Sequence, residues 1–182
     1  MRAGGILPQP VQPHDILLYR GESFVSRLIQ WGTHSPYNHV AIVIDPRYFL
    51  GVESGVGHEA AGVRAIDLRK LDRCRVDVFR VRPEFSFDGD KVVSFLVNRL
   101  GAKFDYWGVV GLGLMKLASF LTGFRTFTGY NRFQRDRDYF CSELVYEAFL
   151  AGGIDIVPQA GEAEVTSPAD IAQSARLIQV GI

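Results

Sequence analysis

The chain has 182 residues, of which 47% are hydrophobic and 22% are charged, and 20 basic side chains balance 20 acidic ones. This length and composition predict one globular domain over residues 1–182. A net charge of zero excludes recruitment of nucleic acid by a global basic field, and two cysteines exclude a disulfide framework.

The first segment predicts an extended arm over residues 1–14, which contain three prolines. Because no apolar signal core follows Met1, we expect a cytoplasmic protein, with removal of an export signal before residue 1 as the alternative. Residues 15–20 predict a short strand. Phe24, Leu28 and Trp31 have helical spacing, which predicts a helix over 23–31 that ends at Gly32.

A cluster of strands follows. Residues 38–44 are nearly all apolar and predict a buried strand that begins near His39. Turn residues at 45–48 lead to a second strand, 49–54, which ends at Gly55. Strands are also predicted at 62–66 and 74–81, with a short helical turn at 67–72 between them. Short consecutive strands joined by tight turns favour an antiparallel sheet with helices packed against it, an α+β fold.

The second half is more helical. Asp88 or Asp90 is the candidate cap of a helix that continues to Leu100 as part of its apolar face. The run 107–124 is almost entirely apolar, and we expect a core or lid helix there. Contact of this run with a membrane surface is one alternative, and a membrane span is another that Lys116 and several glycines weaken. A short helix near 166–170 and a strand at 176–180 complete the chain.

A cysteine stands in the first turn of the helix predicted at 140–150. Cys141 belongs to its apolar stripe, and Gly152 and Gly153 end it. Free N–H groups and the positive end of the helix dipole lower the pKa of a thiol there, and the thiolate is the nucleophile. A buried structural cysteine is the alternative, since the stripe faces the core.

His39 is the candidate base, because an imidazole at the start of a buried strand requires a partner. A core histidine whose hydrogen bonds are satisfied is the alternative. Folding the hairpin about Pro46 places Glu53 opposite His39 on the same face of the sheet. Glu53 is also the sole charged residue of its predicted strand, 49–54, so its carboxylate requires a partner. Cys141 as nucleophile, His39 as base and Glu53 as the group that orients the base form the pattern of covalent catalysis.

Further candidates surround this set. Tyr37 and Tyr19 are candidates for contact with substrate or with an oxyanion, and packing is the alternative role of Tyr37. His58 and Glu59, which follow Gly57, are rival orienting groups. The candidates for a lid or an apolar pocket are Tyr106, Trp107 and Phe140. No metal site is predicted, because Pro36 prevents one helix from presenting both His34 and His39.

Two motifs resemble a known family. Residues 33–43 (THSPYNHVAIV) resemble the histidine strand of the permuted papain-like amidases of the YaeF/YiiX type, in the NlpC superfamily. Residues 139–149 (YFCSELVYEAF) resemble their cysteine helix. Weaker similarities are found at residues 15–18, 62–63 and 103–106, so that the resemblance covers roughly residues 13 to 150.

The resemblance implies a circularly permuted papain-like fold in which the histidine precedes the cysteine. It implies a Cys-His pair with a third polar residue, here Glu53, that hydrolyses an amide bond of a peptide or an N-acyl amino acid through an acyl-thioester. No cofactor is predicted. The alternatives are an acyltransferase or lipid hydrolase resembling lecithin–retinol acyltransferase, which the apolar run 107–124 favours, and a non-enzymatic shell that binds a ligand. The oligomeric state is not indicated.

Overall fold

A computed structural model describes residues 11–56, 61–71, 75–103, 140–158 and 166–180. Within them the strands are β1 (Ile16–Tyr19), β2 (His39–Asp45), β3 (Leu50–Val56), β4 (Ala61–Asp67), β5 (Val76–Val81) and β6 (Leu177–Val180). The helices are α1 (Phe24–Thr33), α2 (Gly89–Arg99), α3 (Cys141–Ala151) and α4 (Pro168–Ala172). Short 3-10 turns lie at Pro46–Tyr48 and Leu68–Lys70.

The strands form one sheet in the order β4-β3-β2-β1-β5-β6, and every neighbouring pair is antiparallel. The prediction of an α+β fold with an antiparallel sheet is therefore confirmed. β1 lies inside the sheet between β2 and β5, which is why residues 16–18 are apolar and fully buried. The strand that begins with His39 lies between β1 and β3, so it has neighbours on both sides.

The principal core lies between one face of the sheet and the long helices. Ile16, Leu18, Val40 and Ile42 belong to it from the sheet side. The helices contribute the buried side chains Val92, Leu96, Leu144, Val145, Ala148 and Phe149. Each large aliphatic side chain buried in this way contributes about 1.5–3 kcal/mol. The packing of α3 against β2 and β3 brings the start of the cysteine helix to the strand of His39.

The opposite face carries a smaller cluster, to which Leu17, Ala41 and Val43 belong. Since side chains alternate along a strand, Tyr19 and His39 lie on this second face, where Tyr19 packs at the margin of the cluster. The candidate base is therefore not part of the principal core.

The β2–β3 hairpin differs from the predicted register. Glu53 lies opposite Ala41, two residues along the strand from His39. The 3-10 turn, a left-handed Phe49 (φ 54°) and a bulge between Val43 and Asp45 lengthen the connection. Because the shift is two residues and the side-chain period is two, Glu53 stays on the face of His39.

The ends of several elements also differ from prediction. α1 continues past Gly32, and His34 closes it in the left-handed conformation (φ 51°). β3 continues through Gly55 to Val56 instead of ending there. Leu100 is 44% exposed and lies outside the core. Asp88, not Asp90, caps α2, where its carboxylate accepts the Lys91 N–H at 3.2 Å.

Candidate active site

Cys141 is the first residue of α3, and two polar contacts hold the start of this helix in place. The Glu143 carboxylate accepts the Phe140 N–H at 3.4 Å. The Ser142 hydroxyl donates to the Thr166 carbonyl at 2.6 Å in a buried position, which ties α3 to the segment before α4. The first N–H groups of a helix have no partner within it, so the Cys141 N–H is a ready donor to an oxygen beside the sulfur.

His39 is the first residue of β2, and its side chain is 22% exposed. Its Nε2 lies 2.9 Å from Glu53 Oε2. With Nε2 held by the carboxylate, Nδ1 is the ring nitrogen left to face the thiol. The carboxylate can therefore set both the tautomer and the orientation of the imidazole.

Glu53 has a second partner that the sequence reasoning missed. Arg64, directly opposite on β4, donates from Nε at 3.1 Å and from Nη2 at 2.7 Å to Glu53 Oε1. Burial alone raises the pKa of Glu53, but His39 and Arg64 outweigh it and lower the pKa to about 2. Pairing β3 with β4 from the sequence would have shown the opposite charges at these two positions, had the ends of β4 been predicted correctly.

The thiol and the imidazole favour each other's charged forms. Burial raises the pKa of Cys141, but the facing imidazolium of His39 and the N–H groups of Val40 and Ser142 outweigh it, and the pKa falls below its ordinary value. Burial lowers the pKa of His39, but the Cys141 thiolate and the Glu53 carboxylate outweigh it and raise the pKa. Each side chain thus favours the charged form of the other, the thiolate of Cys141 and the imidazolium of His39.

Gly55 leaves room for the imidazole. A Cβ atom at this position would lie 3.3 Å from His39 Cε1 and 3.9 Å from Glu53 Oε1. The absence of a side chain here allows the imidazole to reach the Glu53 carboxylate across the diagonal of the β2–β3 pair.

The two tyrosine candidates have different surroundings. The Tyr37 hydroxyl donates to Asp77 Oδ2 at 2.7 Å in a buried position, and its ring meets Phe79 edge-on. This hydroxyl is already used in the core, which favours the packing role. The Tyr19 ring lies against His39, with a centroid separation of 5.2 Å.

Phe140 is 5% exposed and belongs to the principal core at the start of α3. The remaining predicted candidates, Tyr106, Trp107, His58 and Glu59, lie outside the described residues, as do the whole run 107–124 and Cys74. No helix in the described ranges has the length and apolar character that crossing a membrane requires.

The comparison with solved structures found a similar fold over nearly the full length of the chain. This fold is seen in the crystal structure of the metalloprotein yiiX from Escherichia coli O157:H7, DUF1105. The TM-score is 0.64, the sequence identity is 18%, and the match covers 94% of this chain and 97% of that one. The fold of this chain is therefore YiiX-like. No family model matches the chain, and no curated protein matches it significantly.

Because yiiX is described as a metalloprotein, the relevant feature of this chain is whether its side chains could bind a metal ion. In the part of the chain that the structure describes, no group of three or more His, Cys, Asp and Glu side chains is placed to hold a metal ion. At the candidate site, both Glu53 oxygens accept hydrogen bonds, one of them from the cationic Arg64. A guanidinium at this position opposes a second cation, so the described residues do not fit a metal centre.

Proposed function

We propose that this chain is a cysteine hydrolase that cleaves an amide bond through Cys141, His39 and Glu53, on a circularly permuted papain-like fold of the NlpC type. The observation that carries the proposal is the 2.9 Å contact between His39 Nε2 and Glu53, which leaves the other ring nitrogen for a thiol at the start of α3. A nucleophile, a base and an oriented partner of the base are the minimum for covalent acyl transfer.

The reaction follows from these groups. The Cys141 thiolate attacks the carbonyl carbon, and the C–S bond forms as the carbonyl electron pair moves to oxygen. Collapse of this intermediate breaks the C–N bond, and the His39 imidazolium gives its proton to the departing amine. Water then attacks the acyl-thioester while His39 takes a proton from it. The C–S bond breaks and the thiolate is restored.

The proposed substrates are small peptides or N-acyl amino acids. The lowered pKa of Cys141 supports a thiol that ionises more readily than an ordinary cysteine. Glu53 stays ionised because of His39 and Arg64, so it can stabilise the imidazolium through the reaction. The alternative of acyl transfer to a lipid was suggested by the apolar run 107–124, which lies outside the described residues. The test below includes this alternative as one of its outcomes.

The test is intact-mass spectrometry after incubation with a panel of peptide amides, N-acyl amino acids and phospholipids. We expect an acyl adduct on Cys141 with amide substrates, followed by its release in water. Cys141→Ser abolishes the adduct, and His39→Gln slows its formation by about 10²-fold or more. Cys74→Ser is the matched control for the other thiol of the chain and retains the adduct.

Two outcomes contradict the proposal. An adduct that forms with phospholipids alone shows lipid acyl transfer in place of amide hydrolysis. A thiol of ordinary pKa, with no adduct from any substrate of the panel, leaves the ligand-binding shell as the explanation.

A further inference from the structure

A cavity of about 250 Å³ lies beside the start of β1, whereas the other end of that strand pairs with His39. Its lining comes from two segments, residues 12–14 before β1 and residues 80–87 at the end of β5 and just beyond it. The His14 N–H donates to the Val43 carbonyl at 2.8 Å, and Val43 lies four residues along β2 from His39. The cavity is therefore separate from the candidate active site.

Much of the lining is apolar. It includes two prolines and two aromatic residues, Pro13, Pro83, Phe85 and Phe87. The Phe87 ring is held by edge-on contacts with His14 and Phe149, whose ring centroids lie 5.4 and 5.3 Å away. Binding sites for small molecules have such apolar walls with a few polar groups among them, and those for drug-sized ligands measure about 300–1,000 Å³. The volume of this cavity therefore fits a ligand smaller than a drug-sized molecule.

Two guanidinium groups in the lining differ in how their charges are compensated. Arg80 donates from Nε and Nη2 to the fully buried Asp15, at 2.7 and 2.8 Å. Arg82 is half-buried, and its side chain has no ion pair or hydrogen bond with the residues that the structure describes. Its Nε is buried. Glu84, the acidic residue nearest to it in the sequence, is exposed and does not line the cavity.

The position of Arg82 in the cavity wall is set by the backbone. Its N–H donates to the Arg176 carbonyl at 3.0 Å, and Pro83 restricts the chain that follows. A partly desolvated cation without a counter-charge is unfavourable. Because the charge of a guanidinium is delocalised over the whole group, an anion on its cavity side compensates this charge. Gln12, whose side-chain amide can donate a hydrogen bond, also lines the cavity.

We propose that this cavity binds a small carboxylate that carries an apolar or aromatic group, with the carboxylate on Arg82 and the apolar group against Phe85 and Phe87. A carboxylate matches a guanidinium because its two oxygens can accept two parallel N–H groups of the fork. The apolar lining disfavours a fully hydrated anion such as inorganic phosphate. This proposal does not depend on the proposed hydrolase function.

The test is a titration of the full chain with benzoate, followed through the backbone amide signals in NMR spectra. We expect saturable shifts that are concentrated in residues 12–14 and 80–87. Benzamide has the same ring without the charge, and acetate has the charge without the ring. Each binds at least about 10-fold more weakly than benzoate, because each lacks one of the two interactions.

In Arg82→Gln we expect benzoate to bind about 10-fold more weakly or worse, because a charge-assisted contact is lost. The melting temperature stays close to wild type, since this side chain has no partner in the described fold. Arg82→Lys keeps the charge without the fork and gives an intermediate affinity. Arg47→Gln is the matched control, because Arg47 is an exposed arginine that pairs with Asp45 at 2.7 Å, and it leaves the affinity unchanged.

Five results would each overturn the proposal. The amides of the cavity do not respond to benzoate, or benzamide binds as tightly as benzoate, which shows an apolar pocket alone. Inorganic phosphate binds more tightly than benzoate, which shows a phosphate site. The affinity is the same in Arg82→Gln and wild type. Finally, binding is lost after alkylation of Cys141 with iodoacetamide, which places the carboxylate in the candidate active site.

Discussion

His39 connects a thiol, a carboxylate and an aromatic ring from three parts of the fold. Its Nε2 contacts Glu53 at 2.9 Å, and its ring packs on Tyr19. Arg64 completes the arrangement through two hydrogen bonds to the far oxygen of Glu53. Hydrogen bonds between charged groups are stronger than those between neutral groups. The contacts from Arg64 to Glu53 and from Glu53 to Nε2 therefore fix the imidazole and leave Nδ1 for Cys141.

At the residue scale, the pH dependence of alkylation tests the coupling between Cys141 and His39. The pKa of Cys141 is lowered, so its thiolate persists below the pH at which an ordinary thiol becomes protonated. As the pH falls, we expect the iodoacetamide rate of Cys141 to decrease at a lower pH than the rate of an ordinary thiol. In His39→Gln the midpoint moves up, toward or beyond the value of a free thiol, because burial then acts without the imidazolium.

The measurement is the rate of Cys141 modification between pH 4 and 10, in a Cys74→Ser background. Superimposable profiles for His39→Gln and its parent would show that the two side chains are not coupled.

At the element scale, the β2–β3 hairpin determines which side chains reach His39. Its longer turn and its bulge move Glu53 to the diagonal position, opposite Ala41. The strand then continues through Gly55, whose missing side chain admits the imidazole. β4 brings Arg64 opposite Glu53, so that three adjacent strands supply His39, the acid that contacts it and the cation that holds the acid.

Gly55→Ala tests this close approach. The added Cβ lies 3.3 Å from His39 Cε1, so the ring must shift by a few tenths of an ångström. We expect acylation of Cys141 to slow by about 10-fold, because small displacements of a catalytic group have large effects on rate. Circular dichroism and the melting temperature stay close to wild type.

Gly51→Ala is the matched control in the same strand. Its Cβ meets Leu68 Cδ2 at 2.9 Å and the Ile42 carbonyl oxygen at 3.0 Å, away from His39. Overpacking there costs about 1–3 kcal/mol of folding free energy without a change in the pKa of Cys141. Equal acylation rates in Gly55→Ala and wild type would mean that the imidazole has free space on this side.

At the scale of the whole molecule, polar pairs hold the sheet together across its strands. Fully buried Asp15 accepts two hydrogen bonds from Arg80, at 2.7 and 2.8 Å, and so ties the start of β1 to β5. Glu53 plays the same part on the other side of β1, since it joins β3 to β2 and β4. Because the pKa of Glu53 is lowered in the folded protein, this carboxylate makes the fold sensitive to acid.

Glu53→Gln tests whether Glu53 contributes to the loss of folding stability at acid pH. The folded pKa of Glu53, about 2, lies below its ordinary value of 4.5, so its stabilisation is complete above pH 4.5 and is lost as the pH falls toward 2. We expect wild type to lose on the order of 2–3 kcal/mol over this interval through this group. The variant is less stable at neutral pH, and its free energy of unfolding changes less between pH 4.5 and pH 2.

Urea unfolding at pH 7, 4.5, 3 and 2 measures the difference. Parallel curves for the two proteins would show that Glu53 does not carry this pH dependence. Cys141→Ser, measured in the same series, shows how much of the change at neutral pH comes from the thiolate–imidazolium pair.

The local pattern determined the elements, because helical spacing, β-branched runs and turn residues act over a few neighbouring residues. The strands, α2 and the cysteine helix were visible in this way, and the roles of His39 as base and Cys141 as nucleophile stay predictions. A period of two made the face of Glu53 predictable even though the register was not. The fold comparison agrees with this α+β architecture over 94% of the chain.

Tertiary structure alone decided how these elements meet. The register of the hairpin depends on a bulge and a left-handed Phe49, which composition does not reveal. The contact of Arg64 with Glu53 depends on the pairing of β4 with β3. The Tyr37 hydroxyl donates to Asp77, which is 40 residues away in the chain. The unpaired hydroxyl of Tyr19 is likewise a property of three-dimensional surroundings, since whether a polar group is satisfied depends on neighbours that are distant in the chain.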